Sequence, residues 1–198
     1  MLSFGKKTLI LAEKCILCGM KEITINDKKF AVSIPESYIQ GEVKKLAARI
    51  SHDLEGKNPL FLGVLNGSFM FAADLFRDIT IPAQISFVKL ASYEGTASTG
   101  VIKEVIGLSE SIAGRCIVIV EDIIDSGLTM QKLLENLGTR EPAEIHICSL
   151  LLKPENLQVD LDVEYVALQI PNDFIVGYGL DYDGWGRNTR DIYTVVNE

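Results

Sequence analysis

The side chains best suited to chemistry lie in one stretch, VIVEDIIDSGLT (residues 118–129). Two adjacent acids, Glu121 and Asp122, follow an apolar run, and Asp125 comes three residues later. Asp125 alone could be explained as the cap of a helix, and the two acids as a solvated strand end. A cap does not explain two consecutive acids that emerge from a buried strand. The stretch therefore predicts a ligand site as well as a helix start.

The end of the same stretch has the composition of a phosphate site. A helical pattern begins at Ser126, and the N-terminus of a helix offers unpaired N–H groups and the positive end of the helix dipole. Ser126 and Thr129 add hydroxyl groups, and Gly127 lets the backbone approach a ligand closely. The lysine-containing P-loop pattern G-x-x-x-x-G-K-[ST] does not occur in the chain.

Strands and helices alternate around this stretch. Near-continuous apolar runs, typical of strands covered on both faces, occur at 60–65, 84–90, 116–120, 144–151 and 163–169. Apolar residues spaced by three and four predict three helices between them. The first starts near Ser33, Pro35 and Glu36 and stops at Gly56, the second covers 68–78, and the third covers 126–137 and is closed by Gly138. The alternation predicts an α/β fold with a mainly parallel central sheet flanked by helices, and ligands of such sheets bind where strands end.

Three segments do not follow that alternation. Residues 1–32 have the pattern of short strands and turns, and residues 171–198 carry glycines among aromatic and charged residues. We expect these two chain ends to form a small lobe, the hood, over the sheet. Residues 92–113 are too polar for a core and long enough to be a mobile active-site loop.

Length and composition limit the class of protein. The chain has 198 residues, 47% hydrophobic and 23% charged, so we expect one domain spanning 1–198. Its core would cover about 33–168, and its hood about 1–32 and 169–198. The formal net charge of −8 argues against nucleic acid, since a polyanion needs a positive surface. No apolar run is long enough to cross a membrane and the N-terminus lacks a convincing signal peptide, so a cytoplasmic protein is expected.

Cysteine and histidine give a weaker signal. Cys15 and Cys18 form a C-x-x-C pair, which could be half of a zinc site or a redox pair. Cys116 and Cys148 lie singly inside apolar runs, so a second pair is lacking and buried or edge thiols in a reducing compartment are favoured. His146, in an apolar strand, is expected to serve packing.

The stretch VIVEDIIDSGLT resembles the motif by which type I phosphoribosyltransferases bind phosphoribosyl pyrophosphate (PRPP). The segments VLNGSFMFAADL, FVKLASYEG…STG, SLLLK and IPNDFIVGYGLDY follow the order and spacing of the hypoxanthine (hypoxanthine-guanine) group of that family. The resemblance covers roughly residues 30–192. It implies the type I phosphoribosyltransferase fold with a hood lobe from the chain ends. It also implies a purine salvage enzyme that transfers the 5-phosphoribosyl group of PRPP to hypoxanthine, and to guanine as well, giving IMP or GMP and pyrophosphate.

The resemblance implies roles for the acids and for the helix start. Glu121 and Asp122 would hold the ribose hydroxyls of PRPP, directly or through Mg²⁺. Asp125 would be the general base that faces the purine N7. The residues whose backbone and hydroxyl groups would bind the 5-phosphate are Ser126, Gly127, Leu128 and Thr129.

Two further segments match parts of the family that contact pyrophosphate. Leu65, Asn66 and Gly67 match a loop that often contains a non-proline cis peptide bond. Many members have a lysine where this chain has Asn66, although an amide can still donate a hydrogen bond. The alternative is an ordinary turn between a strand and a helix, with Ser68 as the cap. Arg187 matches an arginine that contacts pyrophosphate.

For the purine, the resemblance implies Lys153, Phe174, Ile175 and Asp181. Lys153 would meet the 6-oxo group, and because an ammonium can only donate hydrogen bonds it favours a carbonyl over the amino group of adenine. Phe174 would stack on the base, and the backbone of Ile175 would read its edge. Asp181 would also lie near the metal. The implied Mg²⁺ ligands are thus Glu121, Asp122 and Asp181.

The last features concern the flexible loop and the assembly. Ser92 and Tyr93 match the start of a family loop that closes over the reacting centre and excludes water. The family also implies a homodimer or a homotetramer. Two alternatives stay open: an enzyme that prefers xanthine or guanine, and a PRPP-sensing regulator that binds nucleic acid, against which the negative charge argues.

Overall fold

The computed structural model describes residues 21–91, 103–106, 108 and 110–196. The strands are β1 (Glu22–Ile25), β2 (Lys28–Ile34), β3 (Leu60–Leu65), β4 (Gln84–Ala91), β5 (Lys103–Ile106), β6 (Cys116–Ile124), β7 (Glu144–Leu152), β8 (Tyr165–Gln169), β9 (Ile175–Val176) and β10 (Ile192–Val195). The α-helices of the described residues are α1 (Glu36–Asp53), α2 (Phe69–Asp78) and α3 (Leu128–Gly138), and Pro154–Asn156 form a 3₁₀ turn. None of these helices is long and apolar enough to span a bilayer.

The central sheet has the strand order β5-β4-β3-β6-β7-β8. Five strands run parallel: β4, β3, β6, β7 and β8. The remaining strand, β5, pairs antiparallel with β4 at the edge of the sheet. The five parallel strands correspond to the five apolar runs, which confirms the predicted mainly parallel α/β architecture.

Helices cover the sheet on both faces. The buried side chains of α1 and α2 pack with Phe61, Val118 and Leu150 in one hydrophobic cluster. Those of α3 pack with Leu60 and Ile117, the neighbours of Phe61 and Val118, in a second cluster on the other face. Because successive side chains of a strand point to opposite faces, both faces must be apolar, and this explains the near-continuous runs.

The chain ends form the hood as a second, four-stranded antiparallel sheet with the order β1-β2-β10-β9. Its own small core contains Phe30, Val176 and Tyr193. Asp191, directly before β10, accepts a hydrogen bond of 2.9 Å from the backbone N–H of Glu36. A carboxylate from the end of the chain therefore caps α1, a cap that the predicted start at Ser33 does not include.

Three sequence expectations are wrong in detail. The strand predicted over 116–120 continues to Ile124, because residues 123 and 124 still pair with β7. The third helix begins at Leu128, two residues later than predicted. Within the polar segment 92–113, residues 103–106 form β5 and Ile112 is almost fully buried, so this segment is not one continuous loop. Ser92, Tyr93, Cys15 and Cys18 lie outside the described residues.

Candidate active site

The paired acids lie inside strand β6 near its carboxyl end, and not at a solvated strand end. Asp122 is only 9% exposed and Glu121 is half-buried. Burial, followed by the charge of the adjacent Asp122, raises the pKa of Glu121 well above its ordinary value. Burial also raises the pKa of Asp122, although hydrogen bonds and the charge of Arg187 act in the opposite direction. The pair is therefore costly to ionise in the free protein, and a cation bound beside it would relieve that cost.

The loop after β3 packs directly on Asp122. A side chain at Gly67 would put its Cβ 1.7 Å from Oδ2 of Asp122, so only glycine fits at this position. The peptide bond between Leu65 and Asn66 is cis, which confirms that feature of the resemblance. On its other side Gly67 meets the hood, since a Cβ on Gly179 would lie 2.1 Å from the carbonyl oxygen of Gly67.

The turn into α3 faces a cavity, and of its first N–H groups that of Leu128 donates a long hydrogen bond of 3.5 Å to Oγ of Ser126. Gly127 has φ of +79°, and a Cβ there would lie 2.8 Å from Val159, so both conformation and space require glycine. The N-cap residue of α3 is Gly127, which has no side chain to accept from the helix. The cavity at this turn has a volume of about 300 Å³, large enough for a small ligand. It is lined by Val64, Leu65, Glu121, Asp122, Ile123, Ile124, Asp125, Ser126, Gly127, Thr129 and Met130.

Asp125 points away from the helix and into a polar cluster. Its Oδ2 accepts a hydrogen bond of 2.8 Å from Nζ of Lys153, and its Oδ1 accepts one from the Asn156 amide. Lys153, which is 7% exposed, also donates to Oδ1 of Asn172 at 3.2 Å. Burial alone would raise the pKa of Asp125, but the hydrogen bonds from Lys153 and Asn156 and the lysine charge lower it. Asp125 is thus held as a carboxylate, and it does not cap α3.

Arg187 and Asp181 are paired on the hood side of the site. Nη2 of Arg187 lies 2.6 Å from Oδ1 of Asp181, and its Nη1 donates to the carbonyl of Gly179 at 2.7 Å. The backbone N–H of Gly184 donates to the second oxygen of Asp181 at 2.7 Å. The guanidinium is therefore fixed near Asp122 and Gly67, with further N–H groups available for an anion.

The aromatic residue expected to meet the base belongs to the hood. Phe174 is 43% exposed, and its ring packs edge-on against Tyr182 with centroids 5.5 Å apart. The next residue, Ile175, is buried and pairs with Thr194 in the hood sheet. An apolar ring held in place while half of its surface stays exposed is suited to stacking on a flat ligand.

The structure thus brings together residues from four separate segments: the end of β6 with the turn into α3, the loop at 65–67, the residues after β7, and the hood. Lys153, Phe174, Ile175, Asp181 and Arg187 do not line the 300 Å³ cavity itself. Asn156 and Asn172, which complete the polar cluster, are absent from the sequence expectations. Asn156 follows Lys153 by three residues and faces it only because of the 3₁₀ turn, a spacing that sequence could have suggested. Asn172 lies inside the matched segment IPNDFIVGYGLDY, although the resemblance assigned it no role.

Comparison with known proteins agrees with this geometry. Residues 36–183 match the family model described as the phosphoribosyl transferase domain. The chain is 44% identical over 154 residues to the hypoxanthine phosphoribosyltransferase of Salmonella typhimurium, covering 76% of this chain and 86% of the relative. It is 43% identical over 172 residues to the hypoxanthine-guanine phosphoribosyltransferase of Streptococcus pneumoniae, covering 86% and 94%.

A solved structure gives the same result. The hypoxanthine-guanine phosphoribosyltransferase of Bacillus anthracis superposes with a TM-score of 0.79 at 41% identity, covering 89% of this chain and 99% of that one. The match therefore covers most of this chain and nearly all of the solved one. The chain belongs to the phosphoribosyltransferase family, within its hypoxanthine and hypoxanthine-guanine group.

Proposed function

We propose that this chain transfers the 5-phosphoribosyl group of PRPP to hypoxanthine, and also to guanine, releasing pyrophosphate. One observation carries the proposal: the acid pair, Glu121 and Asp122, lines the same cavity as the turn into α3, which contributes Asp125, Ser126, Gly127 and Thr129. A sugar phosphate needs both features at once, a donor cradle for its phosphate and acceptors for its hydroxyls. The names of the relatives support the choice of purine.

The 5-phosphate binds at the start of α3. The backbone N–H groups at 126–129 and the helix dipole stabilise its negative charge, and the hydroxyl of Thr129 adds a donor. The ribose then extends toward Glu121 and Asp122, whose carboxylates accept hydrogen bonds from its two hydroxyls. The pyrophosphate lies toward Leu65, Asn66 and Gly67, with Arg187 on the opposite side.

Mg²⁺ fits the carboxylates of this site. Glu121 and Asp122 would hold it in the cavity, since their carboxylates offer the hard oxygen ligands that Mg²⁺ prefers. Asp181, the third proposed ligand, lies on the hood side, where it pairs with Arg187. The raised pKa values of Glu121 and Asp122 support this assignment, since a dication beside them would favour their ionised forms. When bound, Mg²⁺ neutralises negative charge on the departing pyrophosphate.

The purine binds between the hood and the polar cluster. Lys153 donates to the 6-oxo group, Phe174 stacks on the ring, and the backbone at Ile175 meets the edge of the base. As the purine nitrogen forms its bond to C1′ and the bond from C1′ to pyrophosphate breaks, the carboxylate of Asp125 takes the proton from N7. The lowered pKa of Asp125 keeps it ionised and ready to accept that proton.

The domain and the assembly are part of the proposal. We propose one domain, because Ile175 and Ile192 of the hood belong to the same hydrophobic cluster as Val43 of α1 and Phe71 of α2. We also propose a homodimer or a homotetramer, on the basis of the family alone. Light scattering on the purified chain measures that state, and a monomer would contradict it.

A conversion assay with Mg²⁺, PRPP and four bases tests the function. Turnover is expected with hypoxanthine and guanine and none with adenine, because the ammonium of Lys153 and the amino group of adenine are both donors. Turnover with xanthine or guanine and not hypoxanthine would favour the sister specificity. Failure with every base would contradict an enzymatic role, and salt-dependent nucleic-acid binding in its place would favour a regulator.

A further inference from the structure

A second cluster of side chains with ligating atoms lies where β6, β7 and β8 begin. This is the end of the parallel strands opposite to the candidate active site. Cys116 is the first residue of β6, and its Cα pairs with that of Glu144, the first residue of β7. His146 lies two residues further along β7, on the same face of the sheet. The thiol sulfur, a carboxylate oxygen and an imidazole nitrogen of these three residues all lie within 4.8 Å of one another.

We propose that Cys116, Glu144 and His146 bind a transition-metal dication of the Zn²⁺ type, at a site distinct from the proposed Mg²⁺ site. Thiolate, imidazole and carboxylate are the three ligand types that zinc uses. Tetrahedral coordination with bonds of about 2.0–2.3 Å separates neighbouring ligand atoms by about 3.3–3.8 Å. Nε2 of His146 and Oε2 of Glu144 are 3.2 Å apart, close to that spacing. The fourth position falls to water.

Glu164 supports the imidazole from behind. Its carboxylate contacts Nδ1 of His146, on the side of the ring opposite to Glu144. A carboxylate on Nδ1 favours the proton there, so Nε2, which faces Oε2 of Glu144, would present its lone pair to a metal bound between them, as in carboxylate–histidine–zinc arrangements. This contact distinguishes the cluster from a chance group of polar side chains, because it fixes the orientation of the His146 imidazole.

The cluster already attracts a cation. Nζ of Lys57 lies 2.7 Å from the same oxygen of Glu144 that faces His146. With the thiol ionised, the two carboxylates and the sulfur outweigh the charge of Lys57, so the site favours a dication. A cavity of about 640 Å³, lined by Lys57, Arg115 and Cys116 among others, leads to it from solvent. Burial raises the pKa of the Cys116 thiol to about 12, so the thiol is neutral until a metal displaces its proton to solvent.

Cobalt provides the test, because a thiolate bound to Co²⁺ gives a charge-transfer absorption in the near ultraviolet that oxygen ligands do not give. The full chain is titrated with Co²⁺ after Cys15→Ser and Cys18→Ser, which removes the C-x-x-C pair as a competing site. One equivalent is expected to produce the absorption. Cys116→Ser should abolish it, and Cys148→Ala, at a fully buried cysteine on β7, should leave it unchanged. Absence of the absorption, or its persistence in Cys116→Ser, would overturn the site.

Affinity measurements keep the proposal testable if Cys116→Ser does not fold. Glu164→Gln is expected to weaken Co²⁺ binding about 10–100-fold, the usual effect of losing an outer carboxylate. His146→Gln should weaken it by more than that, and Lys57→Met should strengthen it because it removes the competing ammonium. Equal affinity in His146→Gln and the parent protein would rule out the imidazole as a ligand and overturn the proposal.

Discussion

Nζ of Lys153 lies 2.8 Å from Oδ2 of Asp125. The residue proposed to donate to the purine 6-oxo group and the residue proposed to accept from its N7 therefore bind each other in the free protein. A bound 6-oxopurine can give each of these two residues a new hydrogen-bond partner. Its O6 replaces the carboxylate as the acceptor for Lys153, and its N7–H replaces the ammonium as a donor to Asp125. Adenine offers Lys153 a donor where an acceptor is needed, which leaves a charged group unpaired. In the proposed reaction, the pair thus links the choice of base to the proton transfer.

Asp125→Asn tests the general base. The substitution keeps the shape of the side chain and removes its ability to take a proton, so kcat is expected to fall about 10²–10⁴-fold. The Kd for PRPP should change little, because the phosphate cradle is formed by the backbone. Steady-state kinetics and calorimetric titration with PRPP measure the two effects. Asp160→Asn, an exposed acid in the neighbouring loop, is the matched control and should change neither. Equal losses in kcat and in PRPP affinity would make Asp125 a structural residue.

Lys153→Met tests the electrostatic coupling. Lys153 and Asn156 lower the pKa of Asp125 in the folded chain, so removal of the ammonium should raise that pKa. A carboxyl whose folded-state pKa is depressed stabilises the fold above its unfolded pKa, and this contribution disappears as the pH falls through the folded pKa. The variant should therefore lose less stability than the parent on acidification. Carbon NMR of the carboxyl groups gives the pKa directly, and an unchanged Asp125 titration would contradict the coupling.

Glu121→Gln should make the free protein more stable and the site inactive. Because the pKa of Glu121 is raised in the folded state, the fold loses stability as the pH rises from the unfolded pKa, about 4.3, towards the folded one. Glutamine needs no ionisation, so the melting temperature at neutral pH should increase, and the difference should shrink below about pH 4.

The same variant should lose its response to ligand. Mg²⁺ and PRPP together are expected to raise the melting temperature of the parent protein by mass action, and this shift should be absent in Glu121→Gln. A destabilised variant that still responds to PRPP would contradict both the electrostatic and the functional assignment of Glu121.

Gly67→Ala tests the contact between the 65–67 loop and Asp122. The new Cβ would lie 1.7 Å from Oδ2 of Asp122, so the loop or the carboxylate has to move. A displacement of about 1 Å at a reacting centre can cost about 10²-fold in rate, and kcat/KM for PRPP should fall by that order. Gly41→Ala, in the middle of α1 with no atom within 4 Å of its Cβ, is the control and should stabilise the protein by about 0.5–1 kcal/mol. Normal kinetics in Gly67→Ala would contradict the close packing.

Tyr178→Phe tests how the hood loop is anchored. Tyr178 is buried with φ of +50°, and its hydroxyl donates to Asp74 of α2 at 2.7 Å. Its neighbour Gly179 touches Gly67 and accepts from Arg187, so loosening the anchor should raise KM for PRPP. Loss of a buried bond to a carboxylate should cost about 1–3 kcal/mol in urea unfolding. Tyr182→Phe, whose bond to Asp27 is exposed, should cost less stability than Tyr178→Phe. Equal losses of stability in Tyr178→Phe and Tyr182→Phe would argue against an anchor at Tyr178.

Local patterns were enough to predict the architecture, because the strands appear in the sequence as apolar runs and the helices as apolar residues spaced by three and four. The five apolar runs are the five parallel strands, and the spacing of Ile39, Val43 and Ile50 marks the buried face of α1. The end of β6 was missed because Glu121 and Asp122 look like a strand terminus. They continue the strand only because residues 123 and 124 pair with β7, a contact that no local pattern contains.

The site was predictable where its residues are contiguous and less so where distant segments meet. The 118–129 stretch identifies itself by its acids, its glycine and the following helix. The partners of Asp125, Lys153 and Asn156, come from the loop after β7, and Asn172 near the hood accepts from Lys153, so their roles depend on tertiary packing. For the same reason, Cys116 and His146 read as isolated packing residues, and their proximity follows from the register of two parallel strands.

A crystal structure of the chain with Mg²⁺ and a non-reactive PRPP analogue tests the proposed PRPP site most directly. We expect the 5-phosphate against the backbone N–H groups at 126–129, and the ribose hydroxyls within hydrogen-bonding distance of Glu121 and Asp122. A phosphate bound away from the start of α3, with these acids not in contact with the sugar, would contradict it.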